Sequence, residues 1–281
     1  MRARSWLYVP AHDPRKIAKA RGSDADVVIL DLEDATPRDR KKAARELVRD
    51  ALRGEDFGRS RRYVRVNAVD TPLWRDDVET AAAAGADGVV LPKASSAAAV
   101  RTVADALRAA GAAIPVVPIA TEDVAGVFAL GETVCADELV ETVMWGSEDL
   151  SASLGAWRVR DEDGSFLEVF RHVRSQVLLE AARHGRRAVD TPYLAIRDLD
   201  GLRREARRSA WQGFAGMQAI HPDHVAVLNE EFVPGDEEVR AARELVAAFE
   251  SGSAVVAIDG TMADNPHLLR ARKVLALVDD E

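Results

Sequence analysis

Short runs of apolar, largely β-branched residues recur along the chain, separated by longer stretches rich in Ala, Arg, Glu and Leu. Eight such runs stand out, at residues 5–9, 26–31, 63–67, 88–92, 116–120, 142–146, 188–191 and 217–220. Most are continuously apolar, as strands buried on both faces are. The stretches between them have helical composition, so the whole reads as repeated βα units around a parallel sheet. The first helix has clear ends: Asp13 as N-cap, Pro14 at the first helical position and Gly22 as the stop. Eight strands predict a closed (β/α)₈ TIM barrel over residues 1–235. The competing arrangement, an open doubly wound sheet, uses about six strands and usually a Gly-rich first turn. The chain contains neither GxGxxG nor GxxxxGK[ST].

Two regions depart from the repeat. Residues 156–185 are longer than a standard crossover and read as a loop around 161–164 followed by a helix. After the eighth run come a helix at 236–250, a short strand at 254–258 and a final helix at 266–278. Residues 236–281 therefore read as a C-terminal helical arm, with Ser251, Gly252 and Ser253 as its hinge.

Composition narrows the function classes. At 281 residues with 47% apolar and 30% charged positions, the chain suits one barrel of roughly 250 residues plus a tail. A net charge of −9, from 38 basic and 47 acidic residues, argues against a nucleic-acid partner. The basic clusters at 59–62 and 203–208 read as solvated faces. No segment approaches the roughly 18 apolar residues of a membrane helix, and no apolar signal run opens the chain. A cytoplasmic protein with no membrane partner is the expectation. The single cysteine, Cys135, cannot close an intrachain disulfide, has no ligand partners at zinc spacing and reads as a small buried thiol.

Barrel enzymes carry their chemistry at the C-terminal ends of the strands. Here those ends offer Asp31, Glu33 and Asp34 after the second run, Arg65 and Asn67 on the third, and Lys93 after the fourth. Thr121, Glu122 and Asp123 follow the fifth, Ser147, Glu148 and Asp149 the sixth, with Asp190 on the seventh and His221 after the eighth. Acids gathered in one space repel unless a cation neutralises them, and oxygen ligands without Cys or clustered His select magnesium or manganese over zinc. Such a metal bonds directly to one or two carboxylates and keeps positions open for substrate oxygens. Arg65 presents the planar pair of donors that grips a substrate carboxylate. Taken singly, any of these residues could instead cap a helix or pair with a neighbour.

The segments RSWLYVPAHDPRKIAKA, DVVILDLEDATPRDRKKAAR, VRVNAVDTP, GADGVVLPKA, TEDVAGV, WGSEDLSASLG, RRAVDTPY, GMQAIHPDHV and IDGTMADNP, in this order across residues 4–266, carry a resemblance. The chain resembles the citrate lyase β-subunit-like family, which includes malyl-CoA and citramalyl-CoA lyases and, more distantly, the HpcH/HpaI aldolases. The resemblance implies a barrel assembled as a homotrimer or hexamer, with the arm lying over a neighbouring subunit. It implies Glu122 and Asp149 as the metal ligands, Glu33 and Asp34 as acids holding the metal's waters, and Arg65 as the group binding an oxo-acid carboxylate or thioester oxygen. Asp264 matches an acid/base presented across the subunit interface. CoA would approach over the mouth, where Arg15, Lys16 and Lys19 could meet its phosphates; solvated positions on the first helix are the alternative for this trio.

The implied activity is a magnesium-dependent carbon–carbon lyase acting on a short 3-hydroxyacyl-CoA thioester of the citryl-, malyl- or citramalyl-CoA type, yielding an acyl-CoA and an α-oxo acid, or the reverse. A CoA-independent class II aldolase on a hydroxy-oxo acid, a malyl-CoA thioesterase and a non-catalytic barrel subunit are the alternatives. Two places depart from the family pattern: Ala120, Thr121 and Asp123 flank Glu122 where Ile-Glu-Thr is usual, and Met217 with Gln218 stand where a lysine is common. His221 reads as a structural residue that fixes its loop.

Overall fold

A computed structural model describes residues 3–54, 56–250, 255–258 and 261–279. Strand β1 (Ser5–Pro10) leads to helix α1 (Pro14–Arg21), then β2 (Val27–Asp31), α2 (Lys41–Gly54), β3 (Arg61–Arg65) and α3 (Trp74–Ala84). There follow β4 (Gly88–Leu91), α4 (Ala97–Ala109), β5 (Val116–Pro118), α5 (Val124–Val134), β6 (Thr142–Met144) and α6 (Ser147–Leu154). The barrel continues through α7 (Glu168–Arg183), β7 (Arg187–Asp190), α8 (Leu199–Gln212), β8 (Gly216–Ala219) and α9 (Asp223–Glu231). The arm comprises α10 (Asp236–Phe249), β9 (Val256–Ile258), β10 (Thr261–Ala263) and α11 (Asn265–Asp279).

The eight barrel strands lie in the order β5-β4-β3-β2-β1-β8-β7-β6, and every pairing between them is parallel. The two ends of this sheet meet through a parallel bridge between Ile119 and Met144 and a 3.0 Å hydrogen bond from Ala120 N to Met144 O. The expected eightfold barrel is thus present, nearly closed. Asp13 caps α1 through bonds to the Arg15 and Lys16 amides, and Gly22 ends that helix, as its sequence predicts.

Alternation along each strand divides the core in two. Inward positions Trp6, Ile29, Tyr63, Val117 and Met144 fill the barrel, and a Cβ on Gly88 would lie 2.1 Å from the Tyr63 ring. Outward positions such as Leu7, Leu30, Val64 and Val143 pack beneath the helices, against Val48, Val78, Val103 and Val177. This parity decides which polar residues reach the mouth. Asp190 follows the inward Val189 and so faces the helices. There it receives Trp145 Nε1 at 2.7 Å, Ser209 Oγ at 2.6 Å and Arg174 Nη2 at 2.6 Å.

Two details differ from expectation. Cys135 is exposed rather than buried, because it follows the last residue of α5 as its C-cap instead of lying on the helix's inner face. The third strand starts two residues earlier than predicted and stops at Arg65; Asn67 has left the ladder because Asp77 Oδ2 accepts its N–H at 2.9 Å. In the arm, β9 and β10 form an antiparallel hairpin where a single strand was expected, and α10 packs on α11. The proposed hinge at Ser251, Gly252 and Ser253 lies outside the described residues. Among the described residues no helix is long and apolar enough to cross a membrane.

Candidate active site

The register of β2 against β3 places Asp31 directly beside Arg65 at the mouth. Asp31 accepts Arg65 Nε at 2.7 Å and Nη2 at 2.6 Å, which fixes the guanidinium plane. The same carboxylate accepts the Glu33 and Ala35 amides at 2.8 and 3.2 Å. Arg65 Nη1 lies 3.1 Å from Glu33 Oε2, and its guanidinium carbon is 4.9 Å from the centre of the Tyr8 ring. One edge of the fork, Nη1–Nη2, retains N–H groups that Asp31 does not use.

The acidic loop after β2 is anchored from behind. Buried Lys41 donates to Leu32 O at 2.7 Å, Glu33 O at 2.8 Å and Asn67 Oδ1 at 2.8 Å. Asn67 in turn donates to Asp77, which also holds Arg45 Nε at 2.6 Å. Every member of this chain has a partner, which makes a buried polar network a rigid support.

Glu122, 5% exposed, leaves β5 and packs against the end of β6. A Cβ on Gly146 would fall 2.9 Å from Glu122 Cγ, so any other residue there would have to push the Glu122 side chain aside. Lys93, the one non-glycine residue with positive φ (50°) among those described, turns its backbone N–H onto Glu122 Oε2. Its ammonium reaches Glu33 and, at 3.4 Å, Asp34. Asp149 stands half-buried on the first turn of α6.

Burial pushes the Glu122 carboxyl up to about 8, with the Asp149 and Glu33 charges adding to it and the Lys93 N–H and Arg65 opposing. Burial also raises Glu33, against the pull of Arg65 and Lys93. At Asp34 burial is outweighed by Lys93, a hydrogen bond with Glu33 and Arg65, so this acid is held below its ordinary range. Acids dehydrated side by side are the environment a hard divalent cation neutralises. The donor set is all oxygen, and Thr121, one residue before Glu122, buries its Oγ1 with no hydrogen-bond partner among the described residues. Among the described residues no three His, Cys, Asp or Glu side chains form a cage. An all-oxygen acid pair such as Glu122 and Asp149 has the chemistry that a hard cation with open positions would take.

Other candidates fall in different places. Asp123 is a helix cap: it accepts Gly126 N at 2.6 Å and the Ser95 hydroxyl, so the extra charge beside Glu122 serves α5. His221 Nδ1 accepts Asp223 N at 3.2 Å, within its own loop. Asp264 sits at the start of α11, with Oδ1 2.6 Å from His267 Nδ1. Arg15 and Lys16 are exposed at the mouth end of α1. Lys19 lines a cleft with Arg4, Asp26 and Arg59 at the opposite end of the barrel, away from them.

Lys41, Tyr8 and His267 were not singled out from the sequence, and Asp31 and Lys93 were named there only as strand-end groups without a specific part. Tyr8 could have been found from strand parity, since it shares the inward side with Trp6. Lys41 could not, because only the fold returns it to the loop nine residues earlier.

Comparison with known proteins agrees with the barrel fold. Residues 4–222 match the model of the HpcH/HpaI aldolase/citrate lyase family. The chain is 40% identical over 279 residues to a citrate lyase subunit beta-like protein of Mycobacterium tuberculosis, covering 96% of this chain and 93% of the relative. It is 39% identical to a (3S)-malyl-CoA thioesterase of Cereibacter sphaeroides, covering 97% and 93%. The crystal structure of protein CitE from Mycobacterium tuberculosis in complex with magnesium, acetoacetate and coenzyme A superposes with a TM-score of 0.88 at 37% identity, covering 99% of this chain and 98% of that one. With residues 4–222 matched by that model and 40% identity to a relative across 96% of this chain, the chain belongs to the HpcH/HpaI aldolase/citrate lyase family.

Proposed function

We propose that the protein is a magnesium-dependent carbon–carbon lyase that splits a short 3-hydroxyacyl-CoA of the citryl-, malyl- or citramalyl-CoA type into an acyl-CoA and an α-oxo acid, or joins them. The observation that carries this reading is the convergence of the Asp31-held Arg65 fork and the Glu122 and Asp149 acids on one mouth. Glu122 and Asp149 would hold the ion, with Glu33 and Asp34 supporting its shell; manganese shares the oxygen preference and is proposed to substitute. Bound there, the ion supplies the Lewis acidity that polarises an oxo-acid carbonyl.

The chain's own groups do the rest. Arg65 orients the oxo acid through the Nη1–Nη2 edge that Asp31 leaves unused and offsets charge developing on oxygen. Asp264 donates a proton to the α-carbon of the departing acyl-CoA enolate, or removes it in the reverse direction. His267, 2.6 Å from Asp264, orients that acid. In a homotrimer or hexamer the arm would deliver Asp264 to a neighbouring subunit's mouth. Arg15 and Lys16 would meet CoA phosphates at the rim; Lys19, at the other end of α1, would not.

A thioesterase reading has one specific support, the similarity to a relative named as a (3S)-malyl-CoA thioesterase. The deciding experiment incubates the purified protein and magnesium with citryl-, malyl- and citramalyl-CoA, and with CoA-free hydroxy-oxo acids. Oxo acid and acyl-CoA appearing together support the lyase. Free CoA with an intact hydroxy acid means thioester hydrolysis, cleavage of CoA-free substrates alone means an aldolase, and inertness toward all of them means a non-catalytic barrel.

A further inference from the structure

The floor of the mouth holds a hydroxyl that none of the roles above uses. Tyr8 lies on the inward face of β1, two positions beyond Trp6, at the top of the side-chain stack that fills the barrel. Below it Trp6, Tyr63 and Met144 are at most 2% exposed. Tyr8 itself is half-buried, so its ring is the last layer before the opening. That ring carries the Arg65 guanidinium, and the charges of Arg65, Asp31, Glu122 and Glu33 all act on its hydroxyl.

The hydroxyl's one hydrogen-bond partner among the described residues is Met144 Sδ at 3.6 Å. A thioether is a weak acceptor, and a phenol O–H beside a polar site retains the capacity to donate to oxygen. A hydroxyl rotor turns to suit its acceptor, and an ionised carboxylate makes a shorter and stronger bond than sulfur does.

We infer that Tyr8 is a specificity-determining residue whose hydroxyl donates a hydrogen bond to an oxygen of the α-oxo acid gripped by Arg65. The inference rests on the proposed function, in which an oxo acid occupies this mouth. Tyr8 and Arg65 then read the acid together, phenol from the floor and guanidinium from the wall. Burial holds the hydroxyl protonated, against the opposing pull of Arg65, so it acts as a donor and not as a base. A site that hydrogen-bonds its substrate's oxygen discriminates strongly against analogues that lack it.

The test is calorimetric titration of pyruvate, glyoxylate and oxaloacetate into full-length, magnesium-loaded wild type and Tyr8→Phe, with magnesium titrated separately into each protein. Phenylalanine keeps the ring beneath Arg65 and removes the oxygen alone. The expected result is unchanged magnesium affinity with oxo-acid affinity lowered about 10- to 100-fold, the range of one hydrogen bond to a charged group. Met144→Leu, which removes only the sulfur acceptor, should leave oxo-acid affinity within about twofold of wild type by the same reasoning. Equal oxo-acid affinities in wild type and Tyr8→Phe would overturn the inference, as would Met144→Leu falling to the level of Tyr8→Phe. Wild type that binds magnesium but no oxo acid would remove the proposed function along with it, an outcome distinct from an inert Tyr8→Phe.

Discussion

Asp31 and Arg65 are register partners on adjacent strands, and the buried carboxylate of one holds the guanidinium of the other by two bonds of 2.7 and 2.6 Å. The side chains are 1% and 13% exposed, so losing either partner leaves a largely buried charge unpaired. Breaking a buried pair on one side costs about 3–5 kcal/mol. Asp31→Ala should therefore destabilise the protein by roughly that amount in urea unfolding and abolish oxo-acid binding. Adding Arg65→Leu should recover part of the stability and none of the binding. Strict additivity of the two losses would show that the pair is not coupled.

Glu122 sets a pH dependence with a definite sign. Its folded-state value near 8 lies above its ordinary 4.5, so between those values the metal-free folded protein keeps a proton that the unfolded chain has released. The contribution of this group to metal-free stability is present at the acid end of that window and is lost as pH rises through about 8. A magnesium ion held by Glu122, as proposed, would have to displace the same proton. Its affinity should climb about tenfold per pH unit up to that point and then level off. Titrations in buffers of different ionisation heat will count the proton released at pH 7; a count of zero would remove Glu122 as a ligand. Glu122→Gln should release none and bind magnesium weakly.

Arg65→Lys keeps the charge and loses the planar fork, so kcat/KM should fall roughly 100-fold or more. A mild effect would place carboxylate recognition elsewhere. Arg65→Ala and Asp264→Asn, each inactive alone, should regain activity when the subunits are mixed, because some mouths then receive an intact Arg65 and an intact Asp264. No recovery in a verified mixed oligomer would argue that Asp264 serves its own subunit or none.

Lys93 holds a left-handed backbone to aim its N–H at Glu122 and its ammonium at Glu33. A side chain in that conformation costs about 1–2 kcal/mol, which glycine avoids. Lys93→Gly and Lys93→Ala both lose the ammonium, but the alanine variant should be the less stable by about 1 kcal/mol. Thermal unfolding compares them, and equal midpoints would mean that the turn relaxes when the lysine is gone.

The barrel was legible because eight apolar runs with helical spacers admit few other arrangements, and a barrel brings every strand's C-terminal end to one mouth. That geometry carried Glu33, Asp34, Arg65, Glu122 and Asp149 to the same rim. Position along the chain could not tell which polar side chains turn inward. Asp190 sits at a strand end like Asp31 but on the opposite parity, and it spends its oxygens on Trp145, Arg174 and Ser209. Asp123 adjoins Glu122 yet belongs to a helix cap. Lys41 and His267 were invisible for another reason: each matters through a partner that only the folded chain supplies.

The weakest stitch in the wall lies between β5 and β6, where a single bridge and the Ala120 N–H to Met144 O bond join the ends of the sheet. Glu122 follows one of these strands and Asp149 the other. An ion shared by both acids would act as a rivet across that gap, so magnesium should slow hydrogen exchange at the Ala120 amide far more than at Val64 in the middle of the sheet. Glu122→Gln should abolish the difference, and equal slowing at both amides would count against it. Loading the ion and fastening the wall would then be a single event, and the barrel would be stiffest when it is armed.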